Sequence, residues 1–194
     1  MNKTSFLCLL LLCGIALLGA HSAFSGAGAQ TVAIRFLALS GYFLLCVSLI
    51  IGPLALFFPS LAQLIEPRRA VGLAAFAFVA LHVLLASGLY FNWNVAKIVA
   101  MAPLAVAVPA AIILLILALT SSNWAIAKMG MNAWKLVQRF VYLAFALVTV
   151  HFVLKANGLA ASNLNLAEAA LLLLAAATVI LQAAGFARRM RAKK

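Results

Sequence analysis

The side chains in this sequence best suited to bind a metal are its three histidines, and two of them stand inside long apolar runs. In "RRAVGLAAFAFVALHVLLASGLY" His82 follows Arg69 by 13 residues, and in "QRFVYLAFALVTVHFVLK" His151 follows Arg139 by 12. At 1.5 Å of rise per helical residue, the rings lie roughly 20 Å and 18 Å from basic residues that mark one membrane face. They therefore share a depth. An imidazole surrounded by hydrocarbon needs a partner inside the protein. Two chemistries answer that need: a hydrogen bond to a Ser, a Thr or a backbone carbonyl of a neighbouring helix, or one metal held from opposite sides by both rings. His21, just past the first apolar run, reads as an ordinary loop residue.

The other donors narrow the metal chemistry. Only Glu66 and Glu168 are acidic, and both fall near the ends of apolar runs. Zinc and non-haem iron normally recruit three or four protein ligands from Cys, His and carboxylates. Haem iron already has four porphyrin nitrogens and needs axial ligands alone, for which imidazole is a common choice. Two histidines on facing helices suit such a group. Cys8, Cys13 and Cys46 lack CxxC spacing and sit in apolar stretches, so they read as small hydrophobic side chains.

Helices spanning a bilayer must position these rings. The 194 residues are 68% hydrophobic and 8% charged, where a soluble domain carries about a quarter charged residues. A span takes roughly 20 apolar residues. The expected fold class is therefore all-α: a polytopic transmembrane helix bundle of six spans, or five if the first is a cleaved signal peptide. The spans read as about Phe6–Gly19, Phe36–Phe57, Ala70–Tyr90, Val99–Leu119, Phe140–Leu154 and Leu166–Phe186. The first run has a basic start and an Ala-Gly-Ala before Gln30, so both a retained helix and a signal peptide remain open. The segments between spans are short and carry Gly, Pro, Asn or Ser, as turns should, and "EPRR" before the third span and "TSSNWAIAKMGMNAWK" between the fourth and fifth look the most structured.

The net charge of +12 is placed as a topology signal, with no nucleic-acid partner implied. With the N-terminus cytoplasmic, 11 of the 14 basic residues fall inside and Arg35, Lys97 and Lys155 outside. Both termini are then cytoplasmic, in a multi-pass protein of the cell (inner or plasma) membrane. Residues 1–35 form the first helix or signal peptide with an outer loop, 36–157 a transmembrane core carrying His82 and His151, and 158–194 the last helix and a basic tail. Helical spacing puts Ala75, Phe78, Val79, Leu85, Ala86 and Leu89 beside His82. It puts Ala144, Leu147, Val148 and Leu154 beside His151. Small residues at 75, 86 and 144 leave room for a flat macrocycle. Trp93, Trp124 and Trp134 read as headgroup-level anchors, Tyr142 and Thr149 as hydrogen-bond donors within the bundle, and Glu66 with Arg68 as an interfacial ion pair.

Three segments carry a family resemblance. "RRAVGLAAFAFVALHVLLASGLYF", "LALTSSNWAIAKMGMNAWKLVQRFVYLAFALVTVHFVLK" and "GYFLLCVSLIIGPL" resemble the ferric reductase-like transmembrane domain. More narrowly, they are similar to the haem-binding membrane subunits of methionine sulfoxide reductase systems (MsrQ-like). The match covers roughly residues 36–157. It implies that His82 and His151 ligate a haem b and that FMN/FAD or a quinone is a second cofactor. Electrons would then pass from a cytosolic flavin reductase or quinol to a periplasmic reductase subunit. The family often has a histidine four residues after the Trp, and Trp134 is followed at that spacing by Gln138. Arg69 likewise occupies the inner level of the third span, so one haem is expected. Arg68, Arg69, Lys135 and Arg139 read as topology signals facing lipid headgroups or as a cradle for an anionic flavin. Two other functions stay open: a stand-alone ferric or metal reductase component accepting near His21, Lys97 and Lys155, and a non-redox transporter or assembly factor using Pro103 and Pro109. No segment accommodates a nucleotide-binding domain, so any oxidoreductase role is that of an electron-transfer subunit.

Overall fold

The computed structural model describes residues 3–23, 27–155 and 165–192. The boundary expected between 157 and 158 lies outside the described residues. Among these there are nine α-helices, one 3-10 helix and no strand. The helices are α1 (Lys3–Ala23), α2 (Ala29–Phe57), α3 (Arg68–Leu89), α4 (Val95–Ala100), α5 (Ala102–Leu119), α6 (Asn123–Met129), α7 (Met131–Gln138), α8 (Val141–Lys155) and α9 (Leu166–Arg191). Five stretches are long and apolar enough to cross a membrane: α2, α3, α5, α9 and the run Met131–Lys155, which combines α7 and α8. A shorter apolar helical stretch, Leu10–Ala23, belongs to α1. The chain is a polytopic helical membrane protein.

The connection between the fourth and fifth spans, among the most structured-looking in the sequence, is helical. It folds as α6 and α7. Ser122 caps α6 by accepting from the Ala125 N–H at 3.0 Å, and Gly130, at φ 74°, supplies the left-handed residue that separates the two helices. A turn at Arg139 and Phe140 then leads into α8.

Two compact units make up the chain: Met1–Ala75 with Leu166–Lys194, and Phe76–Asn165. The dividing point falls inside α3. In the first unit α2 is the central rod, and Tyr42, Leu44, Cys46 and Leu49 are almost fully buried on it. Gly14 of α1 admits the Phe43 ring, since an added Cβ would come within 2.6 Å of it. The 3-10 helix Pro59–Ile65 folds back so that Leu64 packs with Leu7 and Ile51.

Pro53 lies inside α2, has no N–H, and so deprives the Leu49 carbonyl of its helical donor. Gln182 of α9 replaces it, its Nε2 donating to Leu49 O at 2.6 Å. Gly185, one turn further along α9, faces Pro53; a Cβ there would sit 3.6 Å from the proline ring, in ordinary van der Waals contact. Arg68 Nε donates to the adjacent Ser48 carbonyl at 2.9 Å. In hydrocarbon an unmet carbonyl is costly, so the Gln182 donor is what allows α2 to keep a proline within its length.

The second unit is built on close packing of α5 along α8. Ala110, Leu114 and Leu117 recur at helical spacing as the buried stripe of α5, and Ala144 and Phe145 are the buried residues of α8. Past the end of α3 the chain reverses through Asn92 and Trp93, both at positive φ. The Trp93 indole lies against Gly88, where an added Cβ would meet it at 3.4 Å.

Candidate functional site

His151 is half-buried on α8, one turn before the helix ends at Lys155. Its Nδ1 lies 2.8 Å from the carbonyl oxygen of Pro103, in the first turn of α5. A carbonyl has no proton to give, so the ring nitrogen is the donor and Nδ1 carries hydrogen. In the neutral ring Nε2 then keeps its lone pair. Of the two chemistries open to the ring, the hydrogen bond to a backbone carbonyl is thus present for His151, and it occupies only one of the two nitrogens.

The fold of α5 explains why the carbonyl is well placed. Pro103 stands where a helix tolerates proline, because its missing N–H would have had no helical acceptor. Leu104 and Ala105 both donate to Met101 O at 2.9 Å, which closes the turn around it. The oxygen is therefore held by backbone geometry, without dependence on a side-chain rotamer.

His82 lies in the middle of α3, in the same Phe76–Asn165 unit as His151. The ring is half-buried, while its helix neighbours Leu81, Leu84 and Leu85 are exposed apolar residues. On a membrane helix such a surface faces acyl chains or an apolar group. The small residues expected to leave room behave differently from one another. Ala75 belongs to the other unit and Ala144 is completely buried, so both are already packed, whereas Ala86 is half-buried. Thr149 donates to Phe145 O of its own helix at 2.8 Å.

The opposite end of the α5–α8 pair holds a polar cluster that sequence reasoning missed. Trp134 Nε1 donates to Thr120 O at 3.0 Å, and Gln138 Nε2 donates to Thr120 Oγ1 at 3.1 Å and to Leu117 O at 3.3 Å. The last carbonyls of a helix have no helical donors, and these side chains supply them. Trp134 is consequently half-buried with its N–H directed to protein, a correction to its reading as a headgroup anchor. Trp93 and Trp124 are largely exposed, as an anchor would be. The signal available in the sequence was the pairing of Trp and Gln at helical spacing opposite the polar "TSS". Fourteen residues separate Pro103 from Leu117 and thirteen separate Gln138 from His151, the register of two antiparallel helices.

Among the described residues no group of three or more His, Cys, Asp or Glu could hold a metal ion. The donor chemistry that remains is imidazole, with one nitrogen of His151 anchored and the other retaining a lone pair. That set fits a group needing only axial ligands. Of the basic residues considered for an anionic flavin, Arg68 is half-buried and directed to the α2 backbone, while Arg69, Lys135 and Arg139 are exposed.

Comparison with known proteins places this arrangement. The family model described as "Ferric reductase like transmembrane component" matches residues 37–149, which include His82 and Gln138 and stop two residues short of His151. The "Protein-methionine-sulfoxide reductase heme-binding subunit MsrQ" of Caulobacter vibrioides is 41% identical over 125 residues, covering 62% of this chain and 59% of that protein. The protein of the same name from Agrobacterium fabrum is 35% identical over 114 residues, or 57% and 52% of the two chains. "Magnetosome protein MamZ" of Magnetospirillum gryphiswaldense is 40% identical over 99 residues, which is 49% of this chain but 15% of that protein. The aligned part thus spans between half and three-fifths of the two subunits of that name. No solved structure matches.

Proposed function

Because the chain belongs to the ferric reductase-like transmembrane component family, we propose that it is a b-type cytochrome membrane subunit, with His82 and His151 holding one haem b. The observation that carries this reading is His151, whose Nδ1 is engaged by the Pro103 carbonyl and whose Nε2 is left with coordinating capacity. The names of the sulfoxide reductase relatives support the same cofactor.

When bound, the haem supplies a one-electron carrier between the two sides of the membrane. His82 and His151 would hold it, and a haem held by two imidazoles would supply electron transfer. The α5–α8 packing holds the His151 helix in place, and the apolar side chains around both rings keep water away. Gln138 is committed to the end of α5, and an amide is a poor iron ligand. This supports a single haem.

With the positive-inside orientation, both termini are cytoplasmic and both histidines lie in the outer half. A cytosolic flavin reductase or a quinol would deliver electrons, and a periplasmic methionine sulfoxide reductase would receive them. A flavin or quinone bridging the inner half is part of the same proposal.

The test is an absorption spectrum of the purified protein, oxidised and dithionite-reduced. The expected result is a sharp b-type α band on reduction, lost in His82→Ala and in His151→Ala. A colourless protein despite haem supply would sink the reading. Electron delivery to a sulfoxide reductase partner in vesicles, against ferric citrate alone, separates this role from that of a stand-alone metal reductase.

A further inference from the structure

We propose that the Pro103 carbonyl is a positioning group for His151, fixing the ring as the Nδ1–H tautomer and committing Nε2 to the metal. This rests on the cytochrome reading and adds to it the element that sets the ligand's orientation and donor strength.

Several observations converge on it. The contact is 2.8 Å, within ordinary hydrogen-bond range, and only the ring can be the donor. The acceptor is main chain in the first turn of α5, held by the paired bonds from Leu104 and Ala105 to Met101 O. Because the oxygen belongs to the backbone, no titration or rotamer change of a neighbouring residue can release it. His151 stands one turn from the end of α8, where a ring without an anchor would have rotational freedom. A ligating imidazole commonly gives its second N–H to a carbonyl or carboxylate, which fixes the tautomer and raises the basicity of the ligating nitrogen. A more basic ligand favours the ferric state, so the carbonyl should hold the haem potential down. The opposite end of the same helix pair provides a contrast: Gln138 also donates to α5, but the amide oxygen it has left is a poor ligand for haem iron.

The first measurement needs no cofactor. In haem-free full-length protein labelled with ¹⁵N-histidine, the His151 signals are those lost in His151→Gln. Well above the usual imidazole pKa of about 6.5, they should report a protonated Nδ1 and an unprotonated Nε2. An Nε2–H tautomer, or an even mixture, overturns the proposal.

The second measurement isolates the carbonyl in the haem-loaded protein. Replacing Leu104 by its α-hydroxy acid turns the Pro103–Leu104 amide into an ester, whose carbonyl is a weaker acceptor. The same exchange at Ala105 also removes an N–H bonded to Met101 O, but leaves the Pro103 carbonyl an amide. The haem potential should rise in the first variant relative to the second. Equal potentials overturn the positioning role. Haem retained with the wrong tautomer would reject this inference and leave the cytochrome reading standing. The expected tautomer in a protein that never retains haem would reject the cytochrome reading, and the metal-directed role with it.

Discussion

The two ends of the α5–α8 pair are clasped in the same way and end with different chemistry. At one end Trp134 and Gln138 donate to the carbonyls and hydroxyl that close α5. At the other, His151 donates to a carbonyl in the opening turn of α5. Each contact meets the demand that hydrocarbon places on polar groups. An indole nitrogen has no available lone pair, and a glutamine amide offers a metal only its weakly donating oxygen. A neutral imidazole that donates from one nitrogen keeps a lone pair on the other. The residue type that completes the clasp thus decides which end suits a haem iron, and under the proposed function that is the end bearing His151.

The largest way to break this contrast is to remove a ring. His151→Ala and His82→Ala should each reduce haem per polypeptide to background in a pyridine haemochrome assay. Retention of haem by either variant would remove that residue from the ligand pair.

Next in size is a purely structural test in the other unit. Gln182→Leu leaves the Leu49 carbonyl without its donor, at a cost of about 1–3 kcal/mol. In a Pro53→Ala background the restored N–H supplies that carbonyl from within α2. The cost of Gln182→Leu should therefore shrink in a double-mutant cycle read by thermal unfolding in detergent. An unchanged cost would mean that Gln182 acts through packing alone.

A smaller effect is expected at the closing end of α5. Trp134→Phe removes one hydrogen bond and keeps the aromatic ring, costing about 1 kcal/mol in the same unfolding assay, with the haem spectrum unaltered. A spectral shift would connect that end of the pair to the haem. The smallest effect sharpens the contrast most: Gln138→His should leave the haem-to-protein ratio at its wild-type value. α3 carries no histidine besides His82, so the new ring would have no second imidazole partner on that helix. A doubled ratio would show that the inner end was one residue from being a second site.

Much of this was legible in the sequence, and the exceptions share a cause. Apolar run length located α2, α3, α5, α8 and α9, because crossing a bilayer imposes a minimum length on each. His82 and His151 stood out because hydrocarbon makes any titratable residue conspicuous, and the structure puts both in one unit. Short helices such as α6 and α7 carry too few turns for an apolar period, so "TSSNWAIAKMGMNAWK" looked structured without its two helices being marked. Partnerships depending on a backbone oxygen were invisible. Nothing in the letters marks Pro103 as an acceptor for His151, or Leu49 as one for Gln182, since every residue has a carbonyl. Pro53 was the clue to the latter, as it had to orphan a carbonyl four residues earlier. Ala144, expected to open space beside His151, is fully buried, because alanine permits close helix packing as readily as it permits a void.

Low-temperature electron paramagnetic resonance of the oxidised, haem-loaded protein tests the account most directly. Two imidazoles on one iron predict a low-spin ferric signal, and loss of either ring should abolish it. A high-spin signal from iron with an open axial position, in protein whose histidines are intact, would contradict the account.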